Sequence, residues 1–178
     1  KDINFAYDEG SEFALKDINL EIKRGETVFL IGKNGSGKST LFMILAGLLA
    51  PKSGEMFADD VKITESNLKS YANTISAVFS DFYLFDEVMS DDEALIDGLL
   101  KKMSIENKVS VKDGNFSTLN LSQGQKKRLA MVAALLEKRK FLILDEWAAD
   151  QDPEFRRHFY AEFLRTAEPS LHNRIGRK

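Results

Sequence analysis

The sequence predicts an α/β fold with a mostly parallel sheet, an antiparallel β subdomain at its N-terminus and an inserted helical subdomain. Three observations carry this expectation. Residues 27–31 (TVFLI) are a short apolar, β-branched run that leads into a glycine-rich loop, and Leu41, Ile44, Leu45 and Leu48 then repeat at helical spacing. Phe141–Leu144 is four apolar residues in a row, the pattern of a strand buried on both faces in a parallel sheet. At the start, Ile3, Phe5 and Tyr7, then Ile18, Leu20 and Ile22, alternate with polar partners as half-buried antiparallel strands do.

The remaining elements follow in order. Arg24-Gly25-Glu26 turns the chain into the run 27–31, and the cluster Pro51-Lys52-Ser53-Gly54 ends the first helix. Residues 74–79 form another apolar strand, followed by the aromatics Phe82, Tyr83 and Phe85. From about 86 to 118 the chain is charged and helix-prone, with no strong strand, and is expected to be the helical insertion. A helix follows over 153–166.

Composition sets the outer bounds. The 178 residues are 43% hydrophobic and 30% charged, ordinary for one globular domain or most of one. A formal charge of −3 gives no basic stripe, so no nucleic-acid partner is expected. The absence of cysteine excludes disulfides and thiolate metal sites. The longest apolar stretch, 41–50, is about half the roughly 20 residues a bilayer span needs. The chain begins at Lys1 inside a strand pattern without an initiator Met, and is expected to be a piece of something longer.

Residues 32–40 read GKNGSGKST and fit G-x-x-x-x-G-K-[ST], the template of a loop that cradles a triphosphate. Gly32, Gly35 and Gly37 let successive N–H groups turn inward toward phosphate oxygens. Lys38 adds a full positive charge at the β/γ end, and the Ser39 hydroxyl can ligate magnesium. With Asn34, Ser36 and Thr40 these residues make the expected nucleotide-binding loop. The helix N-terminus behind it favours the anion further. The chain is therefore expected to bind a nucleoside triphosphate.

Two more motifs carry chemistry. Residues 121–125 read LSQGQ ahead of a helical run whose buried face is Leu129, Val132 and Leu136. Ser122 and Gln125 form a capping-box pattern, and Gly124 allows close backbone approach. Taken alone the segment is either a well-capped helix start or a second anion site. Lys126, Lys127 and Arg128 read as a solvated helix face. At the C-terminal end of Phe141–Leu144 stand Asp145 and Glu146, where open α/β sheets bind ligands. Strand alternation sends the two carboxylates different ways, so their roles differ. Asp145 is placed to hold the magnesium shell and Glu146 to orient or deprotonate an attacking water.

In this order the three motifs resemble the nucleotide-binding domain of an ATP-binding cassette (ABC) protein, from Ile3 to Leu164. The resemblance implies a P-loop NTPase fold and ATP with magnesium as ligands. It makes residues 32–40 the Walker A motif, LSQGQ the signature and the run ending in Asp145-Glu146 the Walker B motif. Tyr7 matches the adenine-stacking aromatic, and Asp152, six residues after Glu146, the D-loop aspartate. In this family two cassettes pair head to tail. Each triphosphate then lies between the Walker A loop of one and the signature serine and glycine of the other. Lys38 and Glu146 would carry catalysis, Ser39 and Asp145 would hold the metal, and Ser122, Gly124 and Gln125 would face the second nucleotide.

Finer features, LSQGQKKRLA, LDEWAADQDPEFRRHFY and VFSDFYLFD, are similar to bacterial cyclic-peptide and siderophore-peptide exporters. Ser80 departs from the family, which has a glutamine touching magnesium there, so a water bridge replaces direct ligation. Phe82, Tyr83 and Phe85 either face a membrane partner by analogy or fill the core. The family's next elements, an apolar strand between the Walker A and Walker B strands and then a γ-phosphate histidine, are missing from residues 167–178 (AEPSLHNRIGRK). His172 lies too early for that histidine and reads as a tail residue. A truncated or altered end accounts for this, and the chain alone is expected to be marginally folded and a poor ATPase.

The expectation is thus the motor domain of an ATP-driven peptide exporter. It would work at the cytoplasmic face of a bacterial inner membrane, with a second cassette and a transmembrane domain on its N-terminal side. The alternative is a soluble ABC ATPase acting on DNA or ribosomes. That reading is disfavoured because the span from Lys38 to Leu121 leaves no room for a long coiled coil. A P-loop kinase would leave LSQGQ without a task.

Overall fold

A computed structural model describes residues 1–8 and 14–163, with side chains through residue 161. The expectations for residues 167–178, His172 among them, lie outside the described residues. The chain opens with an antiparallel pair, β1 (Ile3–Phe5) and β2 (Leu15–Ile18), in which Ile3 faces Ile18 and Phe5 faces Leu15. Asn4 ties the pair together by accepting from the Asp17 N–H at 3.0 Å. The first helix, α1 (Lys38–Leu45), buries Leu41 and Ile44 against Ile3, Phe5 and Leu15 in one apolar cluster. It stops where Gly47 takes φ 74, the left-handed turn that ends many helices, and leaves Leu48 63% exposed rather than in the core.

A hairpin of β3 (Phe57–Ala58) and β4 (Val61–Lys62) and a short helix, α2 (Leu68–Ala72), follow. The Tyr71 hydroxyl donates to the Leu45 carbonyl at 2.6 Å, fixing α2 to the end of α1, and burial pushes its pKa up to about 12. The parallel centre is β5 (Ile75–Val78) against β8 (Phe141–Leu144), in register from Ile75 with Phe141 to Val78 with Leu144.

Between them, the span expected to be the helical insertion holds one helix, α3 (Glu93–Lys102), and a short hairpin of β6 (Val111–Lys112) and β7 (Asn115–Phe116). The hairpin forms because Asp113 and Gly114 both adopt positive φ, the geometry of the tight turn that Asp-Gly favours. Next comes α4 (Gln123–Leu136), in which Leu129, Val132 and Leu136 are buried as the periodicity predicts. It packs on α3, β5 and β8, and each such side chain contributes roughly 1.5–3 kcal/mol of burial. The described chain ends with α5 (Pro153–His158) and a π-helical turn, Phe159–Phe163.

Two expected strands do not form. Residues 27–31 have no ladder among the described residues, and the second alternating segment stops at Ile18, short of Leu20 and Ile22. The packing beside them explains both. A solvent-open apolar groove is lined by Val28 and Leu30 together with Phe141–Leu144. Leu20 and Ile22 line it as well. No strand of the described chain lies in the groove, so residues 27–31 have no neighbour to pair with among the described residues.

The ladder also shows which amides face that groove. Phe141 and Asp145 donate to Thr74 and Val78 at 3.0 and 2.9 Å, so the intervening Leu142 and Leu144 N–H groups are directed to the other edge. In this 178-residue chain the Leu142 and Leu144 amides should exchange with solvent at least about tenfold faster than those of Phe141 and Asp145. Equal protection of all four amides would mean that the groove is already filled.

Candidate functional site

The phosphate loop owes its shape to the residue that starts α1. Gly37 sits at φ 89, a conformation that strains any side chain with a Cβ, and turns the backbone into the helix. No side chain caps that helix start, so its first N–H groups are presented to whatever lies in the loop. Lys38 folds back over the loop and donates to the carbonyls of Gly32 and Lys33, both at 3.0 Å. Asn34, Gly35 and Ser36 are exposed, Ser39 is half-buried and Thr40 is buried. The Thr40 hydroxyl lies 3.1 Å from that of Tyr7, whose half-exposed ring stands edge-on to Phe5. Tyr7 therefore belongs to the same site as the loop.

At the end of β8 the two carboxylates part as expected, but not by strand alternation. Asp145 makes the last ladder bond and is 2% exposed. Glu146 has left the strand, turns at φ 49 and is exposed. Among the described residues no cation or donor meets the Asp145 carboxylate. A buried charge without a partner is costly, so a divalent cation fits this position. No group of three His, Cys, Asp or Glu stands there among the described residues, so phosphate and water oxygens would complete the shell, as magnesium sites commonly arrange.

The third motif has its capping box. Ser122 Oγ accepts from the Gln125 N–H at 3.3 Å, and Gln125 Oε1 accepts from the Ser122 N–H at 3.1 Å. Gly124 is needed for an approach within the chain, since a Cβ there would lie 2.6 Å from the Asp150 carbonyl oxygen. Gln151 closes the same seam by donating to the Gly124 carbonyl at 3.1 Å.

Lys127 and Arg128 depart most from expectation. Neither lies on a solvated face: Lys127 is 5% exposed, and the Arg128 side chain 11%. Lys127 Nζ donates to the Glu146 carbonyl at 3.0 Å and pairs with Asp150 at 2.6 Å. Arg128 donates to Gln151 at 2.8 Å, pairs with Asp152 and lies 3.6 Å over the Phe155 ring. Asp152, expected as the D-loop aspartate, also caps α5 by accepting from the Phe155 N–H at 2.8 Å. That bond first, and Arg128 as well, hold its carboxyl below the usual range. A signal for this is present in the sequence. Lys127, Met131 and Leu135 follow at i, i+4 and i+8, as do Arg128, Val132 and Leu136, so both cations fall on the buried stripes of α4.

Ser80 is exposed in the turn after β5. The aromatic run divides: Phe82 packs on the main core, while Tyr83 and Phe85 are 78% and 68% exposed with their rings 4.8 Å apart. No hydrogen bond or ion pair among the described residues joins the phosphate loop to the Ser122 cap or to the carboxylates.

The ABC transporter family model matches residues 15–149. The chain is 44% identical over 161 residues to ATP-binding protein SyrD of Pseudomonas syringae pv. syringae, a match covering 86% of this chain and 28% of that protein. It is 37% identical over 178 residues to the probable sulfate/thiosulfate import ATP-binding protein CysA of Chlorella vulgaris, covering 94% and 72%. Among solved structures it resembles cbiO1 of Clostridium perfringens, part of the ABC transporter complex cbiONQ. The TM-score is 0.76 at 34% identity, over 98% of this chain and 74% of that one. The chain thus spans under a third of the length of SyrD. With its phosphate loop, capped signature helix and paired carboxylates in these places, the chain belongs to the ABC transporter family, as an ATP-binding domain of the P-loop ATPase fold.

Proposed function

We propose that this domain is the ATP-hydrolysing motor of an exporter for a cyclic peptide or siderophore peptide, working as a head-to-tail pair of cassettes. The observation that carries the hydrolytic reading is the division at the end of β8. A buried carboxylate without a partner among the described residues, Asp145, stands beside an exposed one, Glu146. Lys38 and the N–H groups of α1 bind the β- and γ-phosphates, and Tyr7 stacks on the base. Ser39 and Asp145 hold magnesium, which when bound would neutralise phosphate charge. Glu146, free to face solvent, orients or deprotonates the attacking water.

Pairing is supported by the lack of contact between the loop and the Ser122 cap. Two anion-binding features that do not meet within one chain are usable together when a second chain supplies the other half. The capping box leaves the Ser122 hydroxyl able to donate outward while it accepts from Gln125. The transmembrane partner is supported by the exposed pair Tyr83 and Phe85, beside a groove of about 540 Å³. Among the described residues no helix is long and apolar enough to cross a membrane, so the spans belong to that partner or to another part of the protein. Export is supported by the resemblance of Trp147 and its neighbours to the peptide-exporter subgroup. The relative named for sulfate/thiosulfate import supports the reverse direction. Six apolar spans encoded upstream of Lys1 would favour export, and a separate membrane subunit with a substrate-binding protein would overturn it.

Three sets of variants test the site. Lys38→Ala should weaken ATP binding or abolish turnover, and unchanged binding with unchanged hydrolysis removes Lys38 from its role. Glu146→Gln should lower turnover by about 10²-fold or more while ATP still binds and the closed dimer accumulates, whereas Asp145→Asn should impair magnesium-dependent binding. Hydrolysis by the Glu146 variant at the wild-type rate would move the base elsewhere. Gly124→Ala should lower stability by about 1–3 kcal/mol, because its Cβ meets the Asp150 carbonyl 2.6 Å away. A denaturant midpoint equal to that of the wild type would show that the seam yields without cost.

A further inference from the structure

Among the described residues Lys127 is the one buried lysine, and packing alone does not require its charge. Its stem lies on the stripe of α4 that also carries Met131 and Leu135, where an apolar side chain of equal length would serve. Taking an ammonium out of water is costly, and buried ion pairs are often replaced by apolar residues without loss of stability. Its charge therefore has a local use, and its contacts say what that is.

Both ends of the residue are fixed. The Trp147 indole donates to the Lys127 carbonyl at 2.8 Å, and Asp150 holds the ammonium at 2.6 Å. The ammonium then donates to the Glu146 carbonyl at 3.0 Å, which also accepts the Ala149 N–H at 3.1 Å. Glu146 itself sits at φ 49. An L-residue with a long side chain persists there only where its surroundings hold the peptide. Lys127 supplies a charge-assisted bond to that peptide from a neighbouring helix.

We infer that Lys127 is a positioning residue for ATP hydrolysis, holding the Glu146 peptide so that the Glu146 side chain leaves the strand end on the exposed side, away from Asp145. The inference rests on Glu146 as the water-orienting base. Lys127 lies one helical turn beyond Gly124, so the helix that presents the signature residues also aims the carboxylate. The Gly124 contact with Asp150 and the Gln151 bond to the Gly124 carbonyl make that connection stiff.

The test is steady-state hydrolysis by the full-length protein carrying Lys127→Met, Lys127→Gln or Asp150→Ala. Methionine fills the same space without a donor and should lower kcat by about tenfold or more, with the KM for ATP and binding of a non-hydrolysable analogue within about twofold of wild type. Glutamine, which keeps a donor, should restore kcat to within about threefold. Asp150→Ala removes the ion pair but leaves the bond to Glu146, and should also stay within about threefold. Wild-type kcat in Lys127→Met overturns the assignment. Equal losses in Lys127→Met and Asp150→Ala overturn it too, because the ion pair alone would then matter. If Lys127→Met does not fold, Lys127→Leu, which also lacks a donor, takes its place: a loss of about tenfold or more supports the assignment, and wild-type kcat overturns it. Glu146→Gln measured alongside separates the two levels, since wild-type turnover there removes the base and not the hold on its peptide.

Discussion

The ladder between Ile75–Val78 and Phe141–Leu144 fixes where the chemistry stands, because β8 delivers Asp145 and Glu146 at its end and α4 packs across both strands. Main-chain bonds on one edge and apolar contacts on the faces set its position, and neither can shift by less than a residue without exposing the wrong side chains. Val78 pairs with Leu144, and its carbonyl accepts the Asp145 N–H at 2.9 Å. The buried carboxylate is therefore anchored through its own backbone. Its side chain is left for a ligand.

Much of this is legible in the sequence, and the parts that are not have physical causes. The strands 75–78 and 141–144, the helix starting at Lys38, the Ser122 cap and the buried face of α4 are all local patterns, and local patterns survive packing. Residues 27–31 carry the same apolar, β-branched signature yet form no ladder, because a strand is defined by its neighbour and the neighbouring place is a groove. The hairpin at 111–116 is hidden by the shortness of its strands, although Asp113-Gly114 is a strong turn signal. Lys127 and Arg128 mislead for a different reason. A run of three cations resembles a solvated face, while the helical period that places two of them inward spreads over eight residues.

The seam between α4 and residues 146–152 accounts for Trp147 and Gln151 and adds a structural task to Asp152. Trp147, buried against Phe155 and Phe159, spends its only donor on Lys127. Gln151, 3% exposed, bridges Arg128 and the Gly124 carbonyl, so its amide is satisfied at both ends. Asp152 joins Arg128 to the start of α5. A buried polar network of this kind stabilises only when its members are all paired, and a vacancy costs more than the average bond contributes. The seam therefore behaves as one unit. Movement of the signature helix would carry the Glu146 turn with it.

The apolar core is divided along the line that matters for catalysis. Leu41 and Ile44, behind the phosphate loop, belong to one cluster with Ile3, Phe5 and Leu15. Leu142 and Trp147, behind the carboxylates, belong to the other with α3 and α4. Val28 and Leu30 face Phe141–Leu144 across the groove instead of bonding to them. In the hydrolytic reading proposed above, Lys38 and Glu146 would act on one phosphate, and a misplacement of about 1 Å can cost 10²-fold in rate. Side chains across an open apolar groove do not hold backbones to that tolerance, whereas a strand laddered to both edges does. Among the described residues the division between the two clusters thus runs along the sheet edge at Leu142 and Leu144, next in sequence to Asp145 and Glu146.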